Sequence, residues 1–100
     1  VLIIAGTFEV EPGRAESALA ATASLVEATR AEPGCRDYVF TIDPTRENTL
    51  RLFEIWDDEA ALAAHFETPH LLEFRRTRQQ LGIVGSDVTR YEIAASGPVG

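Results

Sequence analysis

Glu54-Ile55-Trp56 is followed by the acidic run Asp57-Asp58-Glu59, then by His65, then by Thr68-Pro69-His70. A strand rich in β-branched and aromatic residues places Glu54 and the only tryptophan on one face, two residues apart, because side chains alternate across a strand. In the helix that follows, His65 comes four residues after Ala61 and three after Leu62, so it lies on or beside the face that packs on the sheet. A neutral imidazole there can take a proton from a phenol near pH 7. Glu54 can orient that imidazole and stabilise its charged form, and Trp56 offers a flat wall to an aromatic substrate. Each residue also has an architectural reading: His65 as a core-edge histidine bonded to Glu54 or a backbone carbonyl, Glu54 as a partner for Arg51, Arg75 or Arg78, and Trp56 as a large core residue.

Two further residues belong to this set. His70 follows His65 by five residues with Pro69 between them, whereas two ligands on one helix face need a spacing of three or four, so a two-histidine, one-carboxylate metal site is not expected. His70 is read as capping a helix start or lining a pocket mouth. Arg78 falls seven, four and three residues from Leu71, Phe74 and Leu81, in the middle of an apolar stripe. It reads as an arginine covering apolar surface with its stem or as a guanidinium that stabilises an anion in the pocket. There is no glycine-rich phosphate loop, no dinucleotide fingerprint and no serine or cysteine nucleophile with a partner histidine, so no cofactor is expected.

The elements that position these residues follow from periodicity. Leu2 to Val10 is apolar on both faces and reads as a central strand ended by Pro12-Gly13. Arg14 to Ala31 carries Ala15, Ala18, Leu19, Thr22, Leu25, Val26 and Thr29 at helical spacing and is stopped by Pro33-Gly34. Cys35 to Ile42 is a strand with Tyr38, Phe40 and Ile42 on one face. The loop 43–48 closes a hairpin onto a third strand, Leu50 to Trp56. Asp57 or Asp58 caps the next helix, and Thr68 and Pro69 restart the backbone as N-cap and first helical residue. Gly82 or Gly85 releases the chain into a last strand of about Asp87 to Ala94, and residues 96–100 read as a frayed tail.

The order β-α-β-β-α-β is that of an α+β, ferredoxin-like domain: an antiparallel sheet with helices on one face, here a single domain over 1–100. Strand three is apolar on both faces, Phe53 and Ile55 lying opposite Leu50, Leu52 and Trp56, so a second copy packed sheet against sheet is expected, giving a homodimer. The 100-residue chain has 45% hydrophobic and 25% charged residues, as a globular domain does. A net charge of −7 argues against nucleic-acid and anionic-membrane partners. The apolar start has no basic n-region and reads as a strand, and a cytoplasmic location is the expectation. The lone Cys35 excludes an internal disulfide or multi-cysteine metal site.

With these residues placed, the chain resembles the antibiotic biosynthesis monooxygenase family of dimeric α+β barrels. The resemblance is carried by Pro12-Gly13-Arg14, Glu32-Pro33-Gly34-Cys35, Glu54-Ile55-Trp56 and the run from Ala61 to His70. It implies oxidation of quinols or polycyclic phenols by molecular oxygen without flavin, metal or haem. Haem-degrading members carry an asparagine, a tryptophan and a histidine where this chain has Gly6 or Thr7, His65 and Arg75, so haem degradation is not implied. Polyketide-oxidising members have an asparagine four residues before the strand-three tryptophan, where this chain has Leu52, so that substrate is not implied either. The expected function is a cofactor-independent monooxygenase acting on a quinol or phenol-like aromatic, with His65, Glu54 and Trp56 as catalytic set. Tyr38, Phe40, Phe66, His70 and Arg78 are expected to contact the substrate. A small-molecule isomerase and a non-catalytic ligand-binding dimer are the alternatives.

Overall fold

A computed structural model describes residues 1–100. Four strands, β1 (Leu2–Val10), β2 (Cys35–Ile42), β3 (Thr49–Trp56) and β4 (Ile83–Glu92), form one antiparallel sheet in the order β2-β3-β1-β4. This is the ferredoxin-like arrangement, with β1 interior as its two apolar faces require. The connections are helical: α1 (Ala15–Ala21) and α2 (Ala23–Arg30) between β1 and β2, α3 (Glu59–His65) and α4 (Pro69–Thr77) between β3 and β4. No helix is long and apolar enough to cross a membrane.

Strand alternation sorts the sheet into two faces. Leu2, Ile4, Phe8 and Val10, Tyr38 and Phe40, and Leu50, Leu52, Glu54 and Trp56 are buried on the helix side. There they form the core with Ala18, Leu25, Leu62, Leu71 and Phe74 from the helices. Burying one such side chain stabilises the fold by roughly 1.5–3 kcal/mol, which is why the even positions of these strands set the register. The opposite face presents Ile3, Ala5, Val39, Phe53, Ile55 and Tyr91 with no helix over it.

Three boundaries differ from the sequence expectation. The single helix expected over Arg14 to Ala31 is two helices meeting at Thr22, whose Oγ1 donates to the Leu19 carbonyl at 2.7 Å and competes with the helical ladder. The helix α4 ends at Thr77, with Arg78 as its C-cap and Leu81 beyond it. The last strand starts at Ile83 instead of Asp87, because the Gly82 turn hands the chain directly to a pairing of Ile83 with Val10. The caps stand where expected: Asp58 accepts from the Ala61 amide at 2.9 Å, and Thr68 precedes Pro69 at the start of α4.

Gly6 marks a close approach of β1 to β4. A Cβ built there would lie 2.1 Å from the Asp87 carbonyl oxygen, so no side chain fits at this position.

Candidate functional site

A cavity of about 410 Å³ opens between α3, α4 and the helix-facing side of the sheet. Its body is apolar, built from Ile4, Phe8, Phe40, Leu52 and Phe74 among others, and three groups able to handle protons reach it: Tyr38, Glu54 and His65. Apolar walls with a few convergent polar groups are the usual form of a small-molecule site. The strand positions of Tyr38, Phe40 and Glu54, and the helical position of Phe66, deliver them to the cavity as the sequence pattern implies. Arg78 lines it too, its Cζ 5.4 Å from the centre of the Phe8 ring.

His65 is the last residue of α3 and is only 1% exposed. Its orienting partner is Glu32, and this corrects the expectation that Glu54 would hold it. Glu32 Oε2 lies 2.7 Å from His65 Nδ1 and 2.6 Å from His70 Nε2. A carboxylate that accepts from both rings sets both tautomers: His65 carries its proton on Nδ1, which leaves the Nε2 lone pair as the ring's free basic site. Burial pushes the His65 imidazole below its usual range, and the bond to Glu32 opposes that shift. The net shift favours the uncharged imidazole.

The Glu32-Pro33-Gly34 turn explains how a residue so far along the chain arrives there. Gly34 has φ +84° and packs so closely on α3 that an added Cβ would sit 2.5 Å from the Ala61 Cβ. Its carbonyl accepts from the Asp57 amide at 2.8 Å. These contacts pin the turn against the start of α3, and Glu32 falls beneath the α3–α4 junction. Thr68 Oγ1, which donates to the His65 carbonyl at 2.7 Å, holds the same junction from the other side.

The junction also corrects the geometric argument about His65 and His70. The spacing of five excludes a shared face only on one continuous helix. Here α3 ends at His65 and α4 begins at Pro69, and the bend turns both imidazoles toward Glu32. Their donor atoms all lie within 4.8 Å of one another, so Glu32, His65 and His70 are the residues that could hold a divalent ion. The separations of 2.6 and 2.7 Å are those of charge-assisted hydrogen bonds. His70 does not line the cavity and does not cap α4, a role Thr68 fills.

Trp56 likewise does not form the wall expected of it. It is fully buried, its ring tilted against that of His65 with centroids 4.8 Å apart, and its indole N–H donates to Glu54 Oε1 at 2.8 Å. It touches both Glu54 and His65, which do face the cavity. Burial raises the Glu54 carboxyl to about 7, against the opposing effect of the Trp56 N–H. Tyr38 is raised so far by burial that it stays a neutral phenol. Cys35, raised to about 11 by burial and neighbouring carboxylates, is no nucleophile.

The raised Glu54 value has a stability consequence. A carboxyl whose folded pKa exceeds its unfolded one stabilises the fold below the unfolded value, and that contribution is lost as pH rises through the folded value. With a shift from 4.5 to about 7, ionising Glu54 should therefore cost on the order of 3 kcal/mol. Glu54→Gln is expected to remove this decline, so that denaturant titrations at pH 5 and pH 8 differ less for the variant than for wild type. An equal or larger difference in the variant would show that Glu54 is not the group responsible. His65 acts in the opposite sense, losing stability as pH falls below its unfolded value near 6.5, so the acid side of the curve should be unchanged.

The chain is a two-layer α+β domain with a buried imidazole–carboxylate pair beside an apolar cavity, and comparison with known proteins places its fold. Residues 1–77 match the model of the antibiotic biosynthesis monooxygenase family. The chain is 33% identical over 94 residues to the Bacillus subtilis protein YcnE, whose name marks it as a candidate monooxygenase, covering 94% of this chain and 99% of that one. It is 36% identical to the Synechocystis protein sll1783, covering 93% of this chain and 63% of that protein's length. Among solved structures, PA3566 from Pseudomonas aeruginosa superposes with a TM-score of 0.83 at 30% identity over 94% of each chain. A candidate antibiotic biosynthesis monooxygenase from Deinococcus radiodurans gives 0.90 at 22% identity, over 100% of this chain and 99% of that one. The chain belongs to the antibiotic biosynthesis monooxygenase family.

Proposed function

We propose that this chain is a homodimeric monooxygenase that uses no cofactor and oxidises a quinol or phenol-like aromatic with molecular oxygen. The observation that carries the reading is the Glu32–His65 pair, which leaves a neutral imidazole with a free Nε2 at an apolar cavity. His65 takes the proton of the bound phenol or enol, and Glu32 stabilises the imidazolium that results. The substrate anion then supplies the electrons. The carbon ortho or para to the deprotonated oxygen gives up its hydrogen and becomes a carbonyl: one atom of dioxygen enters the product, and the other leaves as water with the two hydrogens removed. Protonated Glu54 is placed to give a proton to that departing oxygen. The cavity's aromatic walls orient the ring and exclude water.

Oxygen-electrode measurements with anthrone, naphthol and quinol test this directly: uptake should exceed the uncatalysed rate and persist after exhaustive treatment with a chelator. Loss of uptake on chelation, restored by added iron(II), would reassign Glu32, His65 and His70 to a metal. The pairing of a base with a carboxyl near neutrality on one cavity also suits proton transfer on a small carbonyl compound. In that isomerase reading no oxygen is consumed, and the substrate exchanges carbon-bound hydrogen with solvent.

The dimer is motivated by the uncovered sheet face, where Ile3, Ala5, Phe53 and Ile55 are only partly buried and Tyr91 is 51% exposed. Sheet-on-sheet packing across a two-fold axis would cover it with an interface of about 1,000 Å² or more. Sedimentation at micromolar concentration is expected to give twice the chain mass, and a single monomeric species would overturn this part of the reading.

A further inference from the structure

Three arginines line the cavity: Arg90 is paired with Glu59 and Glu92, whereas Arg75 and Arg78 have no carboxylate partner. Arg75 and Arg78 both reach the cavity, three residues apart along α4 and its C-cap, where side chains are neighbours. The ion pairs of the chain that involve arginine use Arg14, Arg36, Arg51, Arg76 and Arg90 instead. Arg30 and Arg46 form no ion pair either, so what marks Arg75 and Arg78 is that both lie at one apolar opening.

The Arg75 Cζ lies 5.1 Å from the centre of the Phe66 ring and the Arg78 Cζ 5.4 Å from that of Phe8, both rings belonging to the cavity. A guanidinium stacked on an aromatic face is held in orientation while its N–H edge stays free for an acceptor. An arginine that merely covers apolar surface carries its head outward into water; Arg78 is half-buried and keeps its head over Phe8.

We propose that Arg75 and Arg78 form an oxyanion-recognition pair, and that the ligand is an aromatic compound bearing a carboxylate or phosphate group. The anion sits at the rim and the phenolic end lies toward His65 and Glu54. The orientation of the phenolic end rests on the function proposed above; the recognition of the anion does not. Carboxylate and phosphate both accept paired N–H bonds from a guanidinium.

Calorimetric titration of the full chain, without turnover, compares three probes: naphthol, the matching hydroxynaphthoate and the matching hydroxynaphthyl phosphate. At least one anion should bind about tenfold or more tightly than naphthol, with the preference shrinking as salt is raised. The tighter of the two identifies which oxyanion the rim fits. In the double variant Arg75→Gln/Arg78→Gln the ratio of anion to naphthol affinity should fall to about one, whatever the change in naphthol affinity itself. Should that variant fail to fold by circular dichroism, each single variant should lose part of the preference. Naphthol binding as tightly as both anions in wild type, or a preference that survives loss of the arginines, would overturn the proposal. The oxygen-uptake assay is independent: anion preference without uptake keeps the rim assignment and removes the oxygenase reading, and uptake without preference does the reverse.

Discussion

His65→Ala is expected to lower oxygen-linked turnover by roughly 10²- to 10⁴-fold, the usual worth of a positioned general base. His65 is fully buried and bonded to Glu32, so the variant should also lose stability, and turnover is compared below its melting transition. The pH profile separates this role from a structural one. Since His65 must be neutral to act and burial depresses its pKa, the acid limb should lie below the ordinary histidine value near 6.5. Glu32 raises that pKa through its hydrogen bond and charge, so Glu32→Gln should move the limb to still lower pH while slowing turnover. If Glu54 must be protonated, a second limb appears near 7 and is abolished in Glu54→Gln. Unchanged turnover in His65→Ala across a panel of phenols would remove the imidazole from the mechanism.

What the sequence made legible, and what it hid, can be traced to particular residues. Alternation over residues 37–42 and Thr49–Trp56 shows which side chains face the helices, and that was enough to deliver Tyr38, Phe40 and Glu54 to the cavity, although a bulge between Cys35 and Asp37 also turns Cys35 to the core side. Alternation says nothing about depth, however. Core and cavity lie on the same side of the sheet, and Trp56, at the end of β3 under α3, falls into the core while Glu54, one pair earlier, reaches the cavity. Glu32 was missed because it sits in a turn, without periodicity, thirty-three residues from its partner. A signal for it existed in the spacing of His65 and His70. Two imidazoles on either side of a Thr-Pro helix restart cannot share a helix face, but a bend of that kind can aim them at a common third residue, and an acidic residue in a Pro-Gly turn is a natural candidate. The break at Thr22 left no comparable mark, since both flanking segments continue the same apolar spacing.

Trp56 provides the other large effect, in stability. Trp56→Ala should destabilise the domain by about 3–5 kcal/mol, the common cost of emptying a fully buried aromatic site. For a domain near 100 residues this corresponds to a fall in melting temperature on the order of 15–30 °C. Part of the loss arises at Glu54, whose Oε1 would be left buried without its N–H donor. Trp56→Phe divides the two contributions. It keeps a flat ring behind His65 but removes the donor, and since the indole N–H is what holds the Glu54 pKa down against burial, that pKa should rise above about 7. A limb set by Glu54 should then move to higher pH, with little change in substrate affinity, because the indole does not line the cavity. Weaker substrate binding with an unshifted pH profile would instead make the indole part of the cavity wall, and the division of labour between a buried tryptophan and a cavity-facing glutamate would be wrong.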